Sequence, residues 1–406
     1  MAAVLSGCGA GKQDRTVVLP PLESQVIDSE KFHINHIQQY IGSGYAENVI
    51  SLAWGDPGTD MLYLLKKEDE GYFYQTIDTG EDVVLSSIFV DDRFLTNVSV
   101  APGGGYLSYE VQDGEEMNLI VLCPRQGTRQ ILHRWEDPEE TFSYIWSDDG
   151  TMLFSWQNGD TGDAYEEWQV TRYEMKADQK DGFRSIVVQF QMKSNGRAWR
   201  TVCPNADGSE IYVREQLSTF GDSMSDEWEN DEDGEATNHD VERNIAATEV
   251  EDKSLNAYNW LLLPDTVTIE ALPEYSDMPV YPVRYTQAGL FVQEENGDIC
   301  LIGDIRSKPI KTKLISGNEG DYNPSPCVCE NGDHVFLMDW INYSMYQISG
   351  VRIVDGEADG QPVVLYKDNY ESLNQIKIVG DKAVVFWGEE FLENSEYRYK
   401  VTVLRY

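Results

Sequence analysis

Trp146-Ser147-Asp148-Asp149-Gly150-Thr151-Met152-Leu153-Phe154-Ser155 is a polar turn set between an aromatic residue and an apolar run. The Asp149-Gly150 pair supplies the positive φ that a tight hairpin turn demands. Leu153-Phe154-Ser155-Trp156, which follows, reads as a strand. One hairpin cannot bury two faces by itself, so the question is whether the unit returns elsewhere in the chain.

It does return. Thr201–Glu215 repeats it as TVCPNADGSEIYVRE, Val98–Glu110 as VSVAPGGGYLSYE and Leu52–Leu65 as LAWGDPGTDMLYLL. Weaker copies lie at Val283–Glu294, Pro326–Asp339 and Ile376–Gly388. The turn glycines are Gly58, Gly104, Gly150, Gly208, Gly289, Gly332 and Gly380. The gaps are 46, 46, 58, 81, 43 and 48 residues; five lie near the length of a four-stranded propeller blade, roughly 40–50 residues, with 58 the loosest, and the long one spans the step from Gly208 to Gly289. Helical periodicity is scarce. The expected fold is all-β: a single propeller of seven four-stranded blades spanning residues 15–406, with an acidic insertion at about 218–253.

Trp146–Ser155 is similar to the Trp-Ser-Pro-Asp-Gly repeat of TolB-like propellers, with Asp148 in place of the proline. Asn205–Val213 resembles the same unit, and the propellers of prolyl oligopeptidase relatives carry a related one. The resemblance implies a fold and leaves function open. The Gly-His and Trp-Asp signature of WD repeats is absent. So is the sialidase Asp-box.

The last repeat supplies only three strands, at Ile376–Val379, Ala383–Trp387 and Tyr397–Leu404. Thr16–Leu19 is an orphan apolar strand that is expected to complete that blade. Ahead of it, Leu5-Ser6-Gly7-Cys8 has the form of a lipobox with Cys8 as the lipidated residue, followed by a short tether through residue 14. The expectation is a truncated lipoprotein signal and an extracytoplasmic protein held at a bacterial membrane by its anchor alone. No apolar run is long enough to span a bilayer.

The chain carries 71 acidic and 31 basic residues, a formal net charge of −40. Nucleic acid, whose binding rests on phosphate neutralisation, is excluded as a partner. Anionic lipid surfaces are disfavoured on the same ground. Cationic ligands remain compatible. Of the six cysteines, Cys327 and Cys329 are two residues apart. With no further Cys or His adjacent they make a poor zinc site, and they read as small buried apolar residues.

Between Leu217 and Lys253 the repeat gives way to a polar, acidic stretch. Glu229, Asp231, Asp233, Gly234 and Asp240 fall at positions of an EF-hand-like loop, a partial match that makes Asp231, Asp233 and Asp240 calcium candidates. No other cofactor is expected. Catalytic signatures are lacking: there is no Gly-x-Ser-x-Gly elbow, and His33-Ile34-Asn35-His36 reads as an exposed linker rather than a zinc motif. A glycan-active enzyme using paired carboxylates stays open as an alternative.

The segments that enter each blade's innermost strand hold aromatic and basic residues: Tyr45 with Asn48, Arg93 with Asn97, Tyr144, Trp199 with Arg200, Tyr281 with Arg284, Tyr322 and Tyr370. They are the ligand-binding candidates. The expected function is non-catalytic: a monomeric binding or scaffold protein for a protein, peptide or glycan at the propeller rim.

Overall fold

The computed structural model describes residues 15–19, 34–42, 48–55, 58–136, 141–157, 167–178, 182–193, 198–217, 258–272, 280–307, 310–317, 324–342, 345–370, 372–379, 382–391 and 397–406. Cys8, Tyr45, Tyr322 and the calcium candidates lie outside them, as does the side chain of Trp199. Among the described residues there is no α-helix, so no helix is long and apolar enough to cross a membrane.

Among the described residues thirty strands make up the fold. The N-terminal pair is β1 (Arg15–Leu19) and β2 (His36–Gly42). A four-stranded sheet follows: β3 (Val49–Trp54), β4 (Met61–Glu68), β5 (Gly71–Asp78) and β6 (Val83–Asp91). The next is β7 (Leu95–Val100), β8 (Leu107–Asp113), β9 (Glu116–Cys123) and β10 (Thr128–Trp135). After it come β11 (Phe142–Trp146), β12 (Met152–Gln157), β13 (Glu167–Asp178) and β14 (Gly182–Lys193). Then come β15 (Ala198–Pro204), β16 (Ile211–Leu217), β17 (Tyr258–Leu263) and β18 (Thr268–Ala271). A fifth set is β19 (Val280–Thr286), β20 (Gly289–Glu294), β21 (Ile299–Ile302) and β22 (Lys311–Ile315). The sixth is β23 (Ser325–Val328), β24 (His334–Asn342), β25 (Met345–Val354) and the short β26 (Glu357–Ala358), with β27 (Val363–Asn369) also on β25. The last is β28 (Ser372–Val379), β29 (Ala383–Phe391) and β30 (Tyr397–Arg405). Every registered pairing is antiparallel between strands close in sequence, apart from the closure. This is an all-β, seven-bladed propeller, and each described repeat glycine lies in or borders the turn between the first two strands of its sheet.

The described chain divides into two compact units, residues 1–93, 336–350 and 362–406 in one, and 94–335 with 351–361 in the other. In the first, a core of Trp54, Leu62, Leu64, Val385, Tyr399 and Val401 fills the space between β3–β5 and β29–β30. In the second, Leu119, Val121, Trp146, Leu153 and Tyr173 form one cluster. Phe154, Trp168, Val202 and Val213 form the next. Of the pair read as small buried apolar residues, Cys329 is buried and Cys327 only half-buried; Cys203 and Cys300 are buried as well, and burial pushes their thiols up to about 12 and about 11.

N-terminal chain closes the last sheet, in the order β1-β2-β30-β29-β28. The fourth strand is β2, however, and the expected Thr16–Leu19 forms β1, one place further out. β2 runs against β30 from His36↔Arg405 to Gly42↔Tyr399. β2 contains two glutamines that break an apolar reading, yet both are buried. Gln38 donates to Thr79 Oγ1 at 2.9 Å. Gln39 donates to Tyr366 Oη at 2.7 Å and to Asp368 Oδ2 at 3.1 Å. Asp368 also accepts from Lys400 at 2.7 Å. Burial pushes the Asp368 carboxyl up, but the charge and hydrogen bond of Lys400 outweigh it and hold it below the usual carboxylate value. Ile34 is buried too, and His36 begins β2, so this end of the expected linker is part of the sheet.

Candidate functional site

A pocket of about 610 Å³ opens at the end of the second sheet where the β8–β9 hairpin and the chain leaving β10 meet. This is also the end at which the chain enters β7, the first strand of the sheet, beside Arg93 and Asn97. Thr96 and Asn97 come from β7, Glu110 and Gln112 from β8, and Met117 from β9. Trp135 and Glu136 come from the end of β10, and Glu115 from the hairpin.

Glu110 is the structural centre. It is buried, and three donors converge on its carboxylate. Tyr144 Oη donates to Oε1 at 2.5 Å, while Thr96 Oγ1 and Asn97 Nδ2 donate to Oε2 at 3.1 and 2.8 Å. Asn97 sits at a register shift between β7 and β8 with φ 48°. The left-handed region is costly for most residues and least so for Asn and Asp. Here it turns β7 so that the amide reaches Glu110. Trp135 is buried against Phe142 at 5.1 Å and His133 at 5.5 Å, forming the pocket's rigid wall.

Among the described residues the pocket lining holds three carboxylates, those of Glu110, Glu115 and Glu136, and no basic side chain. A cationic group with an apolar stem matches this lining: the carboxylates attract the charge while Met117 and Trp135 cover the methylenes.

Burial lowers the pKa of His133 below its ordinary 6.5. The fold therefore favours the neutral ring. The stability this contributes is complete above the unfolded value and is lost as pH falls from there toward the folded one. His133→Phe keeps an aromatic ring against Trp135. Urea denaturation at about pH 7.5 and about pH 5.5, on either side of the histidine range, is expected to show a smaller acid loss in the variant than in the parent. Equal losses would mean that His133 titrates freely.

The other sequence candidates fall in separate places. Asn97 and Tyr144 meet at Glu110. Arg93, in the turn after β6, forks onto Asp91 with both bonds at 2.9 Å. Arg200 is buried beside Glu215 at 3.4 Å, donates to the Gln157 carbonyl at 3.1 Å and lies 4.6 Å from the Trp168 ring. Arg284 pairs with Asp148, in the turn between β11 and β12. Tyr370 is buried, its hydroxyl 2.7 Å from Thr402 Oγ1 and Lys400 Nζ 4.2 Å from its ring. Tyr281 is 46% exposed on β19, and Asn48 directly precedes β3. Each of the three arginines thus faces a carboxylate of its own chain. Sequence reading missed Glu110, Met117 and Trp135; the only signal near them was the acidic run from Glu136 to Glu140.

No family model matches the chain, and no curated protein does. Among solved structures it is similar to the β-propeller domain of Cps50 (Swd1) from Myceliophteria thermophila. The TM-score is 0.50 at 10% identity, over 91% of this chain and 99% of that one. At that identity the likeness concerns the fold alone.

Proposed function

We propose that this propeller is a non-catalytic binding protein that captures a basic segment of a protein or peptide partner at the rim of its second blade. The observation that carries the reading is the Glu110–Glu115–Glu136 pocket, an acidic recess with an apolar wall and no internal counter-charge among its described lining residues. Glu110 is held by three donors of the chain, so it serves as a fixed acceptor. Glu115 and Glu136 are exposed and free to meet a lysine or arginine. The lipobox-like Leu5–Cys8 supports placing the protein outside the cytoplasm on a lipid anchor, where its partner would be an envelope protein.

The test is fluorescence anisotropy with labelled oligolysine, oligoarginine and oligoglutamate peptides across a salt series. The basic peptides are expected to bind and to weaken with salt. Removing one exposed carboxylate by Glu115→Gln or Glu136→Gln should weaken them by up to about fivefold, since an exposed ion pair is worth at most about 1 kcal/mol. Equal binding of acidic and basic peptides, or affinity unmoved by both substitutions, would sink the proposal. Turnover of a glycan in the same preparation would favour the paired-carboxylate enzyme instead.

A further inference from the structure

The turn between the first two strands is built alike in three blades. In the third, Ser147 Oγ accepts from the Met152 amide at 2.9 Å and donates to Asp149 Oδ1 at 2.6 Å, and Thr151 Oγ1 donates to the same carboxylate at 2.8 Å. In the fourth, Asn205 Oδ1 accepts from the Glu210 amide at 3.1 Å, and Ser209 Oγ donates to Asp207 at 2.6 Å. In the sixth, Cys329 Sγ accepts from the His334 amide at 3.1 Å. The glycine amide closes each turn in the same way, Gly150 on Ser147, Gly208 on Asn205 and Gly332 on Cys329.

The turn needs only a small acceptor at its first position. The sixth blade instead places the Cys329 thiol where the other two have Ser147 and Asn205, the Asp333 carboxylate where they have Thr151 and Ser209, and the His334 imidazole where they have Met152 and Glu210. Cys329 Sγ is 3.0 Å from Asp333 Oδ1, and His334 Nδ1 is 2.5 Å from that same oxygen. All three ligating atoms lie within 4.8 Å of one another. Cys329 is fully buried, while His334 and Asp333 are 17% and 47% exposed, so the cluster has a dry base and an open side.

We propose that Cys329, Asp333 and His334 bind a borderline divalent transition-metal ion of the zinc class. A tetrahedral zinc ion takes sulfur at about 2.3 Å and nitrogen or oxygen at about 2.0–2.2 Å, so its donors stand roughly 3–4 Å apart and small side-chain rotations would admit it. One sulfur and one nitrogen select this class over calcium or magnesium. Three protein donors leave a fourth position for water. Binding releases the Cys329 thiol proton to solvent, leaving the thiolate as ligand.

Cobalt(II) and zinc(II), added to the reduced full chain, test this. One equivalent of cobalt is expected to give thiolate-to-cobalt absorption in the near ultraviolet, which zinc bleaches. Carboxylates elsewhere on this acidic protein give no such band. Cys329→Ser installs the third blade's own turn residue, so the turn should persist. The band should vanish, and zinc affinity should fall at least roughly tenfold, the loss seen even for outer partners of a metal ligand. His334→Met, the third blade's residue at that position, should also weaken zinc at least roughly tenfold, and it decides the matter if the serine variant does not fold. Cys327→Ser should leave band and affinity intact. A band that survives Cys329→Ser, zinc affinity unmoved by His334→Met, or a band removed by Cys327→Ser would each overturn the assignment.

Discussion

Replacing Glu215 with alanine is expected to cost about 3–5 kcal/mol of folding stability, the range for removing one partner of a buried ion pair. The Arg200 and Glu215 side chains are 1% and 0% exposed. Arg200 is fixed by the Gln157 carbonyl and the Trp168 ring, so it cannot swing out to water when its partner goes. A charge left in that position loses its counter-ion and gains no solvent. Removing both charges is a different matter, because a pair replaced by apolar groups of similar volume is often neutral or stabilising. The double variant Arg200→Met, Glu215→Leu should therefore recover most of what Glu215→Ala loses. Urea denaturation of the singles and the double measures this. A loss below about 1 kcal/mol for Glu215→Ala, the level of an exposed pair, would mean that Arg200 is free to leave the pair and serve a ligand.

Gly150→Ala should be nearly as damaging, at about 2–5 kcal/mol, and Gly103→Ala much milder. Both glycines have positive φ, 68° and 72°. A left-handed alanine costs roughly 1–2 kcal/mol at either site. The difference is the neighbour. A Cβ on Gly150 would lie 2.2 Å from the Pro102 carbonyl oxygen, while one on Gly103 meets nothing within 4 Å. The clash is with backbone, which has little room to yield, and overpacking of this kind adds about 1–3 kcal/mol. Thermal unfolding of the two variants side by side separates conformation from contact. Equal losses would show that the Pro102 contact is dispensable.

The same contact explains why the fold is legible in the sequence. A Cβ on Gly208 would meet Met152 and Phe154, and one on Gly332 would meet Thr286, Ala288 and Phe291, each in the preceding blade. At these three turns the glycine is demanded twice, by its own turn and by the sheet before it, and these copies keep it where much else in the repeat drifts. The closing strand was harder to read. His36–Gly42 hides behind Gln38 and Gln39, which are buried because Thr79, Tyr366 and Asp368 satisfy them. No pattern of apolar residues announces partners that lie so far away in sequence. The pocket was harder still. Its residues run from Thr96 to Thr141 with no local signature, and Glu110 is one acid among 71. The arginines were conspicuous for the opposite reason. They are few, but Arg93, Arg200 and Arg284 all face carboxylates of their own chain.

The pairing of β2 with β30 also has a consequence for how the molecule is made. Gln39 and Thr402, joined by a 3.3 Å hydrogen bond, are 363 residues apart. At about 5–20 residues per second of synthesis, the ribosome delivers the second partner roughly 20–70 s after the first. Six blades can form from neighbouring segments as they emerge, but the seventh waits for β30. Throughout that interval β2 can pair only with β1, and the edge that β30 will cover stays open. Such unpaired edges invite association with other chains. The order of synthesis, rather than the strength of the finished sheet, sets how long the strand stays in that condition.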